Sequence, residues 1–463
     1  MKVYLETFGC QMNRLDSELV TGLLRAAGHE METDRRKADV VLYNTCCVRR
    51  HAEDKVYSRL GADGRRKGHH RPRLIIGVLG CMAQQHGREL LRRYPQVDVL
   101  CAPGQLARLA ELIDQAADGR PAVALDPDRR AAKAAAADDE LDALDLGRDV
   151  SAAPSPAQAY VRVMRGCDKF CSFCVVPFVR GPEASRDPAR VAEEVRRLIG
   201  AGRSEITLLG QTVNSYRWRA GEIEVRFSDL LCRVAGVAGL RRLRFITSHP
   251  VDFGDDILQA MRDLDNVCAY IHCPAQSGSD AVLKRMSRRY TRAEYDGLVD
   301  RARDIVPGVV LAGDFIVGFP GETEDDHAAS ADLIRRSGYK NSFIFKYSPR
   351  DGTVAARRFE DDVPEAVKKR RNNELLAVQE EVGLAHHRGY VGRRVEVLVE
   401  GPSARVDKQA APPRPEAMQL MGRTRGDHIV VFDAPESLVG RYVHVEVTDA
   451  TSLTLTGKPA GEA

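Results

Sequence analysis

The chain has 463 residues and nearly balanced charge, with 69 Lys and Arg against 66 Asp and Glu. This length allows about two to four domains, and the balance excludes net charge as a guide to the partner. The first residues, MKVYLETFGCQMN, contain no apolar signal segment, and no run approaches the roughly 18 apolar residues of a membrane span. We therefore expect a cytoplasmic protein without membrane contact, in which clustered members of the eleven cysteines bind metal or do redox chemistry rather than form disulfides.

Residues 1–120 alternate between short apolar strands and amphipathic helical segments, which predicts an N-terminal parallel α/β domain. Cys10, Cys46 and Cys81, here called the sheet trio, each come just after a predicted strand. Because the carboxyl ends of parallel strands lie along one edge of a sheet, we expect these cysteines to meet in space. Residues 121–157 follow, rich in Ala, Asp and Pro, and are predicted to be a linker with at most a loose helical piece.

Residues 158–387 alternate again, with six strand–helix units before a charged helix at 364–387. This pattern predicts a complete or partial (β/α) barrel, whose ligand site lies at the carboxyl ends of the strands. Those ends carry polar loops that contain glycine, as a ligand-binding mouth requires. From residue 388 to 456 the pattern changes to strands alone and predicts a small C-terminal β-barrel.

The first loop of the predicted (β/α) barrel, RGCDKFCSFCVVP, holds Cys167, Cys171 and Cys174, here called the barrel trio. A structural zinc site uses four protein ligands, so zinc would need a distant fourth ligand. A 4Fe–4S cluster held by three thiolates leaves one iron open for a non-protein ligand. The spacing C-x-x-x-C-x-x-C resembles the signature of radical S-adenosylmethionine (SAM) enzymes, in which the amine and carboxylate of SAM bind that iron.

Four further residues are candidates for contact with SAM. Phe173 lies inside the cysteine loop, where the main chain of radical SAM enzymes often runs near the adenine. Gly318 and Glu322 belong to the segment GFPGET, whose glycines allow close backbone approach to a ligand, although it could equally be an ordinary turn. Gln211 follows a strand, where it could hold the SAM amino group or cap the local turn.

Other polar or reactive side chains have plainer interpretations. His249 and His272, also at strand ends, are interpreted as hydrogen-bonded core groups. The basic runs at 65–73 and 284–292 are either solvated helix ends and loops or surfaces that face RNA. The cysteines interpreted as packing residues are Cys101, Cys232, Cys268 and Cys273.

A series of motifs, spread over nearly the whole chain, carries a family resemblance. They are ETFGCQMN (6–13), NTCCVRRHAEDKV (44–56), IIGVLGCMAQ (75–84), RGCDKFCSFCVVPFVRGPEASR (165–186), TLLGQTVNSY (207–216), FITSHP (245–250), HCPAQSGSD (272–280), DFIVGFPGET (314–323) and GRTRGDHIVVF (422–432). In this order they resemble the methylthiotransferases of the radical SAM superfamily, in particular the tRNA branch that makes 2-methylthio derivatives of isopentenyladenosine.

The resemblance implies an architecture and a set of cofactors. It implies an N-terminal methylthiotransferase domain, a partial radical SAM (β/α) barrel and a C-terminal TRAM β-barrel, a module associated with RNA binding. The barrel trio would hold the 4Fe–4S cluster that cleaves SAM, and the sheet trio would hold a second 4Fe–4S cluster. The second cluster would deliver the sulfur.

The implied reaction places a methylthio group on carbon 2 of isopentenyladenosine, next to the tRNA anticodon. It uses two SAM molecules, one as methyl donor and one as radical source. Because side-chain acids and bases cannot remove that hydrogen, cofactors carry the step, and no catalytic side chain is expected beyond the cluster ligands. The expected partners are the tRNA anticodon loop, an external electron donor and a sulfur source, and the chain is expected to be a monomer.

Two alternatives stay open. One is the same chemistry on threonylcarbamoyladenosine or on a ribosomal protein, although the tripeptide QMN after Cys10 favours the isopentenyladenosine branch. The other is a non-catalytic, metal-bearing RNA-binding protein. Within the sheet trio, Cys47 stands beside Cys46 and is either a competing ligand or a small buried apolar residue. We favour Cys46 because it fits the NTC motif.

Overall fold

The computed structural model describes residues 1–47, 50–127, 135–150, 155–403 and 418–462. They form an N-terminal parallel sheet, a central arc of parallel strands and a C-terminal closed barrel. Within these ranges, no helix is both long enough and apolar enough to cross a membrane.

The N-terminal region is a parallel sheet covered by helices. Its strands are β1 (Lys2–Phe8), β2 (Glu30–Met31), β3 (Val40–Thr45), β4 (Ile75–Leu79), β5 (Val99–Cys101) and β6 (Ala122–Ala124). Its helices are α1 (Gln11–Ala26), α2 (Arg50–His69), α3 (Cys81–Arg93) and α4 (Leu109–Ala117). The strand order is β2–β1–β3–β4–β5–β6, and every pair is parallel, which confirms the predicted parallel α/β fold. Strand β6 lies inside the segment that we expected to be a linker.

The central region contains a parallel barrel and its helices. Its strands are β7 (Gln158–Arg162), β8 (Met164–Arg165), β9 (Ala184–Ser185), β10 (Glu205–Leu209), β11 (Arg217–Ala220), β12 (Ile223–Arg226), β13 (Arg242–Ile246), β14 (Tyr270–His272), β15 (Val310–Val317) and β16 (Asn341–Lys346). The helices before and around them are α5 (Ala135–Leu146), α6 (Val176–Val179), α7 (Pro188–Gly200), α8 (Phe227–Ala235), α9 (Asp255–Asp263), α10 (Asp280–Arg285), α11 (Arg292–Ile305), α12 (Glu324–Ser337), α13 (Val354–Arg358) and α14 (Glu365–Arg388).

The barrel is open on one side. Strands β7, β10 and β13 form one parallel half, and β14, β15 and β16 form the other. An isolated parallel bridge between Leu243 and Val267 joins the two halves. No ladder joins β7 to β16 in the ranges that the structure covers, so this is the partial form of the two that the sequence predicted.

Alternation along the barrel strands separates an outer core from the lumen. Val161, Ile206 and Phe245 pack in the large core that also contains the helix side chains. Since successive strand residues point to opposite faces, the residues between them face the lumen. Arg244 and His272 belong to this inner set, which gives the lumen a polar surface.

The C-terminal barrel closes below the lumen. Its strands are β17 (Arg394–Pro402), β18 (Met418–Thr424), β19 (Ile429–Ala434), β20 (Tyr442–Ala450) and β21 (Thr454–Glu462), in the closed order β17–β18–β19–β21–β20. The sequence predicted β17, β19 and β20. Strand β21 was missed because Gly457 and Pro459 break its apolar pattern, and β18 follows a proline-bearing stretch. Arg242, at the amino end of β13, bonds to Glu396 of this barrel.

Part of the predicted linker is firmly packed rather than loose. Helix α5 presents Asp145 to Arg162 of β7, with Arg162 Nη2 at 2.8 Å from the carboxylate. Just beyond the helix, Arg148 donates to the carbonyl of Tyr160 at 2.7 Å. Both partners lie on the first strand of the central barrel, so residues 141–150 are anchored to it. The other linker residues, 128–134 and 151–154, lie outside the described residues.

Candidate active site

The sheet trio lies at the carboxyl ends of three neighbouring strands. Cys10 caps the start of α1 after β1, Cys46 follows β3, and Cys81 begins α3 after β4. Because β1, β3 and β4 are adjacent in the sheet, the three strand ends share one edge, as the sequence predicted. Gly9 makes the approach possible: its φ is +124°, and a Cβ there would lie 2.5 Å from Cβ of Cys46.

Two buried amides fix the Cys10 loop against β3. Asn13 Nδ2 donates to Asn44 Oδ1 at 3.1 Å, and Asn44 Nδ2 donates back to the Asn13 carbonyl at 2.9 Å. Both residues are fully buried, so losing either partner would strand a polar group. The asparagines of the QMN and NTC motifs therefore hold the cysteines in place.

Hydrogen bonds between neighbouring thiols shift the acidity of the sheet trio. The bond with Cys46 lowers the pKa of Cys10 to about 6, and the bond with Cys47 lowers the pKa of Cys81 to about 7. The same bond to Cys81, together with burial, raises the pKa of Cys47. Cys46 therefore bonds to Cys10, and its neighbour Cys47 bonds to Cys81. Since both adjacent cysteines reach a member of the trio, our preference for Cys46 as the ligand stays a prediction.

The barrel trio sits in a loop that is anchored to the barrel wall. Cys167 and Cys171 are buried, and Cys174 is partly exposed. Ser172, between them, donates its N–H to the Met286 carbonyl at 2.9 Å and its hydroxyl to the Arg285 carbonyl at 2.8 Å. Burial raises the pKa of Cys167 to about 11, so this thiol needs a positively charged partner to ionise at neutral pH.

Each trio has an arginine at one of its sulfurs, and the sequence predicted neither. Arg180 Nε lies 3.2 Å from Cys81 Sγ, and its Nη2 lies 2.9 Å from Asp16. Arg288 Nη1 lies 3.3 Å from Cys171 Sγ. Hydrogen bonds to the sulfurs of an iron–sulfur cluster tune its reduction potential. The only sequence signal for Arg180 was its place in the VRGP segment just past the cysteine loop.

Arg288 belongs to the basic run 284–292, for which an RNA-facing surface was one interpretation. Its guanidinium is buried and also donates to the Pro274 carbonyl at 2.8 Å. Arg285 donates to the Gly321 carbonyl, and Arg292 pairs with Asp332. These three arginines therefore serve the fold of the barrel. Lys284 and Arg289 are the exposed members of the run.

The predicted SAM contacts lie at strand ends of the barrel. Phe173 packs edge-on against Phe319, with ring centroids 6.5 Å apart. Gly318 has φ +68°, and a Cβ there would lie 2.3 Å from Lys368 Cγ, so only glycine fits. Glu322 accepts from the Gly318 N–H at 2.6 Å, so its carboxylate holds the GFPGET turn in shape.

Gln211 and the two histidines have different environments. Gln211 Oε1 is buried without a hydrogen-bond partner among the described residues. An unpaired buried acceptor suits a side chain that binds a ligand better than one that caps the local turn. His249 Nδ1 accepts from the Val251 N–H at 3.4 Å, and burial lowers its pKa to about 2, as a core group requires. His272 faces the lumen, where burial lowers its pKa but Asp314, 3.1 Å from Nε2, outweighs that effect and raises it.

The donor sets consist of cysteine thiols, which are the usual ligands of iron–sulfur clusters. Within the part of the chain that the structure describes, no three His, Cys, Asp or Glu side chains converge on one metal position. In a 4Fe–4S cluster each thiolate binds a separate iron. Each trio supplies thiols together with an arginine N–H at one sulfur, which is chemistry that fits a cluster.

Known families match three parts of the chain. Residues 2–102 match Uncharacterized protein family UPF0004, residues 161–334 match the Radical SAM superfamily, and residues 388–460 match the TRAM domain. A solved structure of TsrM, a radical S-adenosylmethionine methyltransferase from Kitasatospora setae with cobalamin and a 4Fe–4S cluster bound, is similar with a TM-score of 0.55. It covers 77% of each chain at 16% identity, which supports the fold alone.

Curated relatives match over nearly the full length. A tRNA-2-methylthio-N(6)-dimethylallyladenosine synthase from Rhodopirellula baltica is 45% identical over 98% of this chain and 95% of its own. Proteins of the same name from Syntrophotalea carbinolica and Clostridium novyi are 42% and 39% identical, covering 96% and 99% of this chain and 97% and 96% of their own.

Proposed function

The chain belongs to the family of tRNA-2-methylthio-N(6)-dimethylallyladenosine synthases, which are radical SAM enzymes, and we propose how its two cysteine trios divide the reaction. It methylthiolates tRNA with SAM and iron–sulfur chemistry. The finer proposal is that the barrel trio holds a cluster that binds and cleaves SAM, while the sheet trio holds a second cluster that delivers sulfur. Two SAM molecules are then used per product, one as methyl donor and one as radical source.

One observation carries this proposal: a single short segment of the barrel loop reaches the sheet trio. Arg180 lies six residues after Cys174 in sequence and contacts Cys81. Val175 and Val179, on the same segment, pack against Cys47 and Cys81. An enzyme with one cluster has no need for this contact, whereas transfer of sulfur to a radical formed at the other trio requires the two sites to adjoin.

The side chains bind, orient and shield the reacting groups. The clusters and SAM, when bound, supply the one-electron cleavage and the sulfur that no side chain offers. Arg180 and Arg288 donate N–H groups to the cysteine sulfurs. Gln211 would offer its buried Oε1 to the SAM amino group, and the main chain around Phe173 would run near the adenine. Burial of two thiols in each trio limits the access of water to both sites.

The substrate and partners follow from the same proposal. The adenosine lies in the tRNA anticodon loop, where a single-stranded base enters the barrel mouth without unpairing a helix. The C-terminal barrel supports the RNA stem. We further propose that an external electron donor and a sulfur source serve the chain, which acts as a monomer in the cytoplasm.

Anaerobic reconstitution tests the two-cluster proposal. We expect about eight irons per chain with matching sulfide, and an EPR signal of one cluster that changes when SAM is added. About four irons per chain would contradict the second cluster. One bound zinc with no iron would contradict the mechanism as a whole.

Nucleoside analysis tests the substrate. In a deletion strain, tRNA should lose 2-methylthio-isopentenyladenosine and accumulate isopentenyladenosine, and the cloned chain should restore it. Retained 2-methylthio-isopentenyladenosine would contradict the substrate, and loss of a methylthio group from threonylcarbamoyladenosine or from ribosomal protein would point to the sister reactions.

A further inference from the structure

Two phenylalanines are exposed on the last strand of the central barrel. Phe343 and Phe345 lie on β16 and are 50% and 40% exposed. Their rings stack with centroids 6.3 Å apart and an interplanar angle of 19°. Leaving two neighbouring aromatic rings in water is unfavourable. Exposed apolar patches of this kind often mark binding surfaces.

The strand register shows which way these rings point. Phe343 pairs with Asp314 and Phe345 with Ile316 on β15, and paired residues of parallel strands share a face. The Asp314 carboxylate reaches His272 in the lumen. Ile344, between the two phenylalanines, packs on the opposite side in the core beneath the helices. Both rings therefore face the lumen.

The position of β16 places the rings beside the open side of the barrel. No strand pairs with the other edge of β16 in the described part of the chain. Across the lumen, Ile246 of β13, Tyr160 of β7 and Cys10 of the sheet trio all pack against one apolar cluster that contains Met12 and Leu209. A molecule that enters through the open side thus meets the phenylalanine pair on one wall and the sulfur-delivering site on the other.

The same wall leads to the SAM site. Ile316, the register partner of Phe345, packs against a small cluster that contains Phe319 and Tyr347. Phe173, the candidate for contact with SAM adenine, packs against the same cluster. The phenylalanine pair is therefore continuous with the proposed SAM site, as a substrate position must be for radical transfer.

We propose that Phe343 and Phe345 form the subsite for the N6-prenylated adenine of the tRNA substrate. This inference rests on the proposed function and names the part of the site that recognises the modified base. An aromatic face stacks on a nucleobase, and an apolar wall accepts a branched five-carbon chain with loss of water from both. A threonylcarbamoyl group would bring a carboxylate against the same apolar rings, and the desolvation of that charge opposes binding.

Binding of two synthetic anticodon stem-loops by the reconstituted full chain tests the subsite. One RNA carries the prenylated adenosine and the other carries unmodified adenosine at the same position. We expect the wild-type enzyme to prefer the prenylated RNA, and Phe343→Ala with Phe345→Ala to reduce that preference at least about tenfold. Phe343→Tyr with Phe345→Tyr keeps both rings and should retain most of the preference. Ile223→Ala, an exposed apolar side chain on β12, is the matched control and should change nothing.

Three readouts separate the subsite from the function itself. Iron content and SAM cleavage in the absence of RNA should match wild type in the alanine variants, because both rings are largely exposed and removing them leaves no buried cavity. Wild-type enzyme should methylthiolate the prenylated stem-loop. If it does so while the double alanine variant keeps the full preference, the subsite is overturned and the function stands. If wild-type enzyme produces no methylthio product from tRNA at all, the proposed function fails with it.

Discussion

At the scale of single residues, the two arginines at the cysteine sulfurs form a matched pair. Arg180 and Arg288 each bring a guanidinium N–H to one sulfur of one trio. An N–H that bonds to a cluster sulfur stabilises the reduced, more negative state and raises the potential. We expect Arg180→Met to lower the potential of the sheet-trio cluster alone and Arg288→Met to lower that of the barrel-trio cluster alone.

Redox titration followed by EPR measures both potentials in each variant. Each variant serves as the control for the other, since both remove a buried guanidinium of similar size. Arg180→Lys and Arg288→Lys keep the charge but lose the planar geometry, so their shifts should be smaller. A shift of both clusters in one variant, or of neither, would contradict a local hydrogen-bond effect.

The adjacent cysteines give a second prediction at this scale. Cys46 bonds to Cys10, and Cys47 bonds to Cys81, so contact does not separate them. If Cys46 is the ligand, Cys46→Ala should reduce the iron content by about half, from about eight to about four per chain, and Cys47→Ala should leave it unchanged. The opposite pattern would assign the second cluster to Cys47.

At the scale of elements, the buried ion pairs of α5 should contribute strongly to stability. Asp145 is 1% exposed and pairs with Arg162 at 2.8 Å. Removing Asp145 leaves the buried Arg162 with Asp16 as an acidic neighbour 3.6 Å away, so Asp145→Ala should lower the free energy of unfolding by about 3 kcal/mol, the low end for a broken buried pair. Urea unfolding monitored by circular dichroism measures the change. Glu224→Ala breaks an exposed pair with Arg219 and should leave the unfolding midpoint where it is.

The same element shows what a sequence can and cannot predict here. Strand and helix periodicity, with a cysteine just after each of three predicted strands at intervals of 36 and 35 residues, was enough to place the sheet trio on one edge of a sheet. The packing of α5 could not be predicted, because its acidic residues are typical of a solvated linker. Their buried partner, Arg162, comes close to them only in the folded protein. For Arg288 the discrepancy has the same cause. A basic run predicts an exposed surface, but Arg288 is buried against Cys171, which lies 117 positions away in the sequence.

The exposure of the phenylalanine pair, Phe343 and Phe345, could not be predicted from the sequence for a related reason. The segment SFIFKY predicts an ordinary buried strand, since Phe343, Ile344 and Phe345 form a continuous apolar run. Only the register with β15 and the open barrel edge reveal that Phe343 and Phe345 face an accessible lumen. The periodicity of apolar residues separates the two faces of a strand. Whether a face is exposed to solvent depends on whether the barrel closes over it.

At the scale of the whole molecule, several buried side chains of the central barrel bond to the C-terminal barrel, among them Arg242, Arg244 and Lys340. The Arg242 guanidinium is fully buried and bonds to the Glu396 carboxylate at 2.6 Å and to the Arg423 carbonyl at 2.9 Å. It also lies over the Tyr442 ring, 4.7 Å from the centroid. These contacts lie at the amino end of the lumen. They fix the position of the C-terminal barrel, the proposed RNA-binding module, relative to the open side of the central barrel.

We therefore expect Arg242→Met to loosen the contact between the two barrels without dismantling the active site, since Arg244 and Lys340 still bond across it. Limited proteolysis should then cut between α14 and β17, and the affinity for tRNA should fall at least about tenfold, since a flexible module loses the fixed geometry that lets both barrels bind one RNA. Iron content and SAM cleavage without RNA should stay at wild-type values. Arg241→Met is the matched control, because Arg241 also reaches Glu396 and the Tyr442 ring but is largely exposed, with 45% of its side chain in solvent. Equal loss of tRNA affinity in both variants would mean that surface charge, rather than the buried Arg242 contact, governs RNA binding.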